Sequence, residues 1–118
     1  MRKQCHNPYM PLWEHVPDGE PHVFGDRLYV YGSHDLENGN EFCEQDYVCW
    51  SAPVTDLSDW RCDGVIYKKE QDPYNQDALP LYAPDVVKGP DGRYYLYYCI
   101  KFQDSINVAV CDTPAGEY

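Results

Sequence analysis

The sequence predicts an all-β protein, and three observations carry that prediction. Helical periodicity is almost absent: no window repeats apolar residues at i, i+3, i+4 and i+7 for long. Ten prolines and eight glycines break the 118 residues every few positions. Between the breaks lie short runs of β-branched and aromatic residues, the composition of strands.

Taken in order, the first strand is Pro21-His22-Val23-Phe24, and Gly25-Asp26 is a two-residue hairpin signal leading into Arg27-Leu28-Tyr29-Val30-Tyr31. Leu36-Glu37-Asn38-Gly39-Asn40 is a polar loop. A third strand lies within residues 46–52, around Tyr47-Val48-Cys49-Trp50. A fourth, Gly64-Val65-Ile66-Tyr67, follows Trp60. Residues 68–80 carry Asp72-Pro73 and Asn75-Gln76-Asp77 and form a longer loop. Asp85-Val86-Val87 then turns through Lys88-Gly89-Pro90-Asp91-Gly92 into the longest run, residues 93–100. The last strand lies within residues 105–111.

These strands repeat. Residues 20–31 match Ala83-Pro84-Asp85-Val86-Val87, a longer turn, and Arg93-Tyr94-Tyr95-Leu96-Tyr97, with Pro21 and Pro84 aligned. Tyr94, Leu96 and Tyr98 point to one face, and Tyr95, Tyr97 and Cys99 to the other. A sheet with one solvated face alternates apolar with polar residues, so this pattern predicts packing on both sides. Tandem four-stranded antiparallel units buried on both faces are the blades of a β-propeller. The sequence supplies a first blade over about residues 20–67 and an incomplete second over about 82–118. A closed propeller takes roughly four to eight blades, so the chain reads as the front of one longer propeller domain, with aromatic faces and sheet edges left uncovered.

Composition narrows the function. Nine Lys and Arg stand against twenty Asp and Glu, a net charge of −11, which argues against a nucleic-acid or anionic-membrane partner. No apolar run approaches the roughly 20 residues of a transmembrane helix. The basic opening Met1-Arg2-Lys3-Gln4-Cys5-His6 has no apolar core behind it, so no signal peptide is read and a cytoplasmic location is expected. None of the six cysteines (Cys5, Cys43, Cys49, Cys62, Cys99 and Cys111) forms a C-x-x-C pair, so free thiols are expected and no structural zinc site. Twelve Tyr, three Trp and three Phe give aromatic surface enough to fold a small domain. An acidic, aromatic chain also suits sugar binding, in which rings stack on sugar faces and carboxylates hold hydroxyls.

At three segments the chain resembles glycoside hydrolase family 43, which includes β-xylosidases, α-L-arabinofuranosidases and arabinanases. The first runs from Asn7-Pro8-Tyr9-Met10-Pro11 through Asp18-Gly19-Glu20-Pro21-His22-Val23-Phe24 to Gly32-Ser33, and is similar to the family's opening blade. The second, Trp50-Ser51-Ala52-Pro53-Val54-Thr55-Asp56-Leu57-Ser58-Asp59-Trp60, is similar to its tryptophan-bounded blade signature, which sister propeller families share. The third, Tyr82-Ala83-Pro84-Asp85-Val86-Val87, is similar to its W-A-P-D-V segment and is the more specific.

The resemblance implies a five-bladed propeller and hydrolysis of arabinofuranosyl or xylosyl linkages with inversion, performed by a trio of carboxylates. An inverting pair of acid and base stands roughly 6.5–9.5 Å apart, leaving room for a water. On this pattern Glu20 takes the general-base position and Asp85 orients the acid and adjusts its pKa. The acid itself belongs to a later blade, and Glu117 does not match its motif, so this chain alone is expected to be inactive. The family pattern carries Asp where this chain has Glu20, a methylene longer, which matters for placing a water. Either Glu20 is the base with a compensating backbone shift, or the site binds sugar with little hydrolysis. Asp18, two residues earlier, is the weaker candidate.

Tyr82, Phe24, His22 and Trp13 are the residues expected to line the sugar site, each against the plainer alternative of packing. His34 stands with them on the same terms, while Trp50 and Trp60 read as packing. The expected partner is an oligosaccharide. No cofactor and no metal ligand set is called for, and a calcium ion at the centre of a complete propeller is left open, as is the oligomeric state. Two rival functions stand beside hydrolysis: a non-catalytic sugar-binding propeller and a propeller glycoside phosphorylase.

Overall fold

A computed structural model describes residues 7–118. The basic opening, Met1 to His6 with Cys5, on which the reading of no signal peptide rests, lies outside the described residues.

The described chain is all-β apart from one 3-10 turn at Lys69–Gln71. Four strands, β1 (Glu20–Phe24), β2 (Arg27–Tyr31), β3 (Tyr47–Pro53) and β4 (Arg61–Tyr67), form one antiparallel sheet in sequential order. Three more, β5 (Leu81–Lys88), β6 (Tyr94–Ile100) and β7 (Ile106–Cys111), form a second sheet in the same order. No helix among the described residues is long and apolar enough to cross a membrane.

Local chemistry explains the turns. Phe24 pairs with Arg27 across the two-residue turn, and Gly25 sits at φ 64. A positive φ at the first central residue is the type II′ geometry that glycine favours. Two strands run longer than the sequence predicts. β4 begins at Arg61 because Asp63, an unpromising strand residue, is held in place. Its carboxylate accepts hydrogen bonds from Ser51 Oγ (2.5 Å) and Arg61 Nε (2.8 Å). β5 begins at Leu81 and absorbs Pro84, because a register shift between Tyr82 and Asp85 takes Ala83 to φ 36 and leaves the proline outside the ladder.

The expected two-sided burial is present in the first sheet. Residues 47–52 of β3 are all buried. One face of that sheet, through Tyr29, Tyr31, Tyr47 and Cys49, shares a core with Leu81, Val86, Leu96, Tyr98 and Ile100 of the second sheet. The other face, carrying Val30 and Trp50, is covered by the segment before β1. There Trp13 lies against Trp50 with ring centroids 6.0 Å apart, and Val16 crowds Gly32. A Cβ on Gly32 would lie 2.6 Å from the carbonyl oxygen of Pro17, closer than any side chain tolerates.

The second sheet is covered on one side only. Tyr94, Leu96 and Tyr98 are buried against the first sheet, as the alternation predicts. On its other side Val87, Tyr97, Ile106 and Val108 are exposed.

Tyrosine hydroxyls stitch the two sheets together, each ring lying in the core with its oxygen on a partner. Tyr47 donates to the carbonyl of Tyr82 (2.9 Å) and Tyr31 to that of Pro114 (2.7 Å). Tyr67 and Tyr98 both turn their hydroxyls to the buried carboxylate of Asp72. Burial pushes the Tyr31, Tyr47 and Tyr98 phenols well above their ordinary range, and at Tyr98 the bond to Asp72 adds to the effect.

Cys43, Cys49, Cys62, Cys99 and Cys111 are free thiols. Cys43 and Cys49 are buried, and burial pushes both thiols up.

Candidate active site

The site is built where the first strands of the two sheets meet. β1 pairs only with β2, and β5 only with β6, so each keeps one free edge, and the two strands touch. Side chains at i, i+2 and i+4 of a strand share a face. In β1 these are Glu20, His22 and Phe24, and the last two face the second sheet: His22 reaches Asp85, and Phe24 meets Tyr94 edge-on at 5.0 Å.

Asp85 sits immediately after the register shift in β5. A bulge bends a strand and re-aims a side chain, and this one brings the Asp85 carboxylate to β1. Its Oδ1 accepts a hydrogen bond from His22 Nε2 (2.5 Å) and another from the backbone N–H of Val86 (2.8 Å). Both bonds fall on one oxygen, and the side chain remains 55% exposed. His22 is held in turn by stacking on Phe24, with centroids 5.7 Å apart and planes 14° from parallel, and by a tilted contact with Tyr31 at 6.3 Å. The repeat offset aligns Asp85 with His22, both one residue after the aligned prolines. In the folded chain it is His22 that touches Asp85, because the bulge intervenes between Tyr82 and Asp85.

The two candidates for the base have different surroundings. Glu20 opens β1 opposite Tyr31 and is exposed, with no hydrogen-bond partner for its carboxylate among the described residues. Asp18 lies on the turn before it, in a left-handed backbone conformation at φ 58. Its Oδ2 accepts from Ser33 Oγ (3.2 Å), and that oxygen accepts from the backbone N–H of Ala83 (2.8 Å). Ser33 is fully buried. A short relay thus ties Asp18 to the same segment of β5 that carries Asp85. Ser33 closes the first resemblance segment, but nothing in the sequence signals its bond to Ala83.

The remaining predicted residues fall in three places. Tyr82 is half-buried at the start of β5, its carbonyl taken by Tyr47. Phe24 is half-buried and packs on the core between the sheets. Trp13 is exposed and rests on Trp50, on the face of the first sheet turned away from Asp85, so the fold does not bring it to His22 and Asp85. His34 is buried in a separate knot. Its Nδ1 lies 2.8 Å from the Asp46 carbonyl and its Nε2 2.9 Å from Glu14 Oε1, while Glu14 Oε2 accepts from Trp50 Nε1 (2.8 Å). Trp60 is half-buried, with its ring 4.9 Å from that of Tyr9. Among the described residues no group of three or more His, Cys, Asp or Glu side chains is placed to hold a metal ion.

No protein-family model matches the chain. It is 64% identical over its whole length to a xylosidase/arabinosidase of Thermoclostridium stercorarium, of which it spans 25%. It is 33% identical over 93% of its length to a xylosidase/arabinosidase of Bacteroides ovatus, of which it spans 36%. Among solved structures it superposes on the GH43_1 enzyme from Xanthomonas citri complexed with xylose, with a TM-score of 0.74 and 29% identity, over 92% of this chain and 32% of that one. The fold alone is shared with an exo-beta-1,3-galactanase from Phanerochaete chrysosporium, at a TM-score of 0.69 and 17% identity over 87% of this chain and 24% of that one. The chain thus spans a quarter to about a third of the length of these proteins. Its two sheets match blades of the propeller fold of these enzymes, and over its length the chain is similar to part of proteins named xylosidase/arabinosidase and of a GH43_1 enzyme.

Proposed function

We propose that a complete propeller carrying this chain hydrolyses arabinofuranosyl or xylosyl linkages of plant-polysaccharide oligomers with inversion. The observation that carries the proposal is Asp85, re-aimed by the bulge of β5 to the meeting point of the first strands of the two sheets and bonded there through one oxygen. The relatives named xylosidase/arabinosidase support the choice of sugars.

In this reading a carboxylate on the turn into β1 acts as general base. It takes a proton from the water that attacks the anomeric carbon. A general acid from a later blade protonates the leaving oxygen on the opposite side of the sugar. Asp85 holds that acid in place, and its negative charge keeps the acid protonated near neutral pH. Glu20 holds the base position on the family pattern. Asp18 is favoured by its surroundings, since a base must be held to within a fraction of an ångström and Asp18 is anchored through Ser33.

The test is to follow hydrolysis of an aryl α-L-arabinofuranoside and an aryl β-xyloside by the complete protein, using NMR to identify the first anomer released. The proposal expects the inverted sugar. A retained anomer would overturn the mechanism. Binding of oligosaccharide without turnover would favour a sugar-binding propeller, and release that depends on phosphate would favour a phosphorylase.

A further inference from the structure

We propose that His22 is a positioning residue for Asp85, setting which carboxylate oxygen faces the general acid; this rests on the function proposed above. A carboxylate accepts, so the short contact at 2.5 Å requires the proton on His22 Nε2. That bond and the Val86 N–H converge on Oδ1, which leaves Oδ2 as the oxygen available to the acid. The Val86 bond alone is a contact between neighbouring residues and permits the carboxylate to swing. The His22 bond comes from the other sheet and fixes the second direction. His22 is itself immobilised: Phe24 stacks on its ring, Tyr31 closes against it, and its backbone is locked in β1 opposite Tyr29. The arrangement is the one that metal and acid–base sites use to orient a working group, a partner fixed on a rigid strand rather than a loop.

The role predicts a dependence on the leaving group. An activated aryl sugar departs with little protonation, whereas an oligosaccharide needs the acid. In the complete protein, His22→Phe keeps the stacking surface and removes the donor. Its kcat is expected to fall by about tenfold or more on an oligosaccharide, within the range that proton transfer contributes, and by less on aryl glycosides of increasing acidity. His22→Gln, which offers an N–H at a similar reach, is expected to restore part of the loss. An equal fall on every leaving group, or no restoration by Gln, would assign His22 to packing and overturn the proposal. If the wild-type protein hydrolyses no glycoside, the proposed function fails and the positioning role in catalysis fails with it. The contact itself is then decided separately by imidazole 15N NMR of the complete protein. Protonation of His22 at Nε2, altered in Asp85→Leu, is the expected result; protonation at Nδ1 alone would refute the contact.

Discussion

Asp18 and Glu20 are two residues apart, and the fold treats them differently. Asp18 is bound through Ser33 to the backbone of Ala83, at the price of a left-handed φ, while Glu20 is exposed at the head of β1. Strain of this kind costs on the order of 1–3 kcal/mol and persists where surroundings enforce it. In the complete protein, Asp18→Asn is expected to lower kcat by about 10²-fold or more, in line with removal of a general base, while Glu20→Gln has the smaller effect. Parallel kcat measurements decide the matter, and the reverse order would return the base to Glu20. The core phenols make a second prediction at this scale. Burial raises Tyr31, Tyr47 and Tyr98 above the ordinary value of 10.0. The folded state then holds protons that the unfolded state releases, so their contribution to stability is full below about pH 10 and is lost as pH rises beyond it. Titration of tyrosinate absorbance is expected to show these phenols ionising only with unfolding. Reversible ionisation of all twelve tyrosines in the folded protein would contradict their burial.

Single elements show what a sequence can and cannot disclose. The β1–β2 hairpin was legible because Gly25-Asp26 between strand-forming runs has one good solution. β6 was legible because its alternating rings have to be divided between two faces. The early residues of β4 were not, because Arg61, Cys62 and Asp63 become strand only through the contacts of Asp63 with Ser51 and Arg61. The start of β5 was hidden for a similar reason: Pro84 reads as a break, and only a bulge on an edge strand accommodates it. Just after that bulge, Asp85 meets His22 of β1. Gly32, just beyond β2, is set by close approach to the segment that covers the first sheet. Gly32→Ala is expected to destabilise the protein by about 1–3 kcal/mol, as overpacking does, read as a lower midpoint in thermal or urea unfolding. An unchanged midpoint would mean that Pro17 and Val16 are not packed as described.

The repeat is the feature that scales up to the molecule. Two sheets with sequential strand order, each beginning at a free-edged strand, place one carboxylate-bearing strand beside another. The apolar side of the second sheet, with Val87, Tyr97, Ile106 and Val108 exposed, matches a chain that spans a quarter to about a third of its relatives. The sequence carried the blade pattern and the position of Asp85. It could not carry the three-dimensional links, since the bonds of Ser33 to Ala83 and of His22 to Asp85 join residues 50 and 63 positions apart. The most direct measurement is therefore made at Asp85. Asp85→Asn preserves the shape of the side chain and removes the charge that the acid needs. In the complete protein, kcat on arabino- or xylo-oligosaccharides is expected to fall by about 10²-fold or more with the fold intact by circular dichroism, within the range attributed to general-acid catalysis. An unchanged rate in a folded Asp85→Asn protein would contradict the account at its centre.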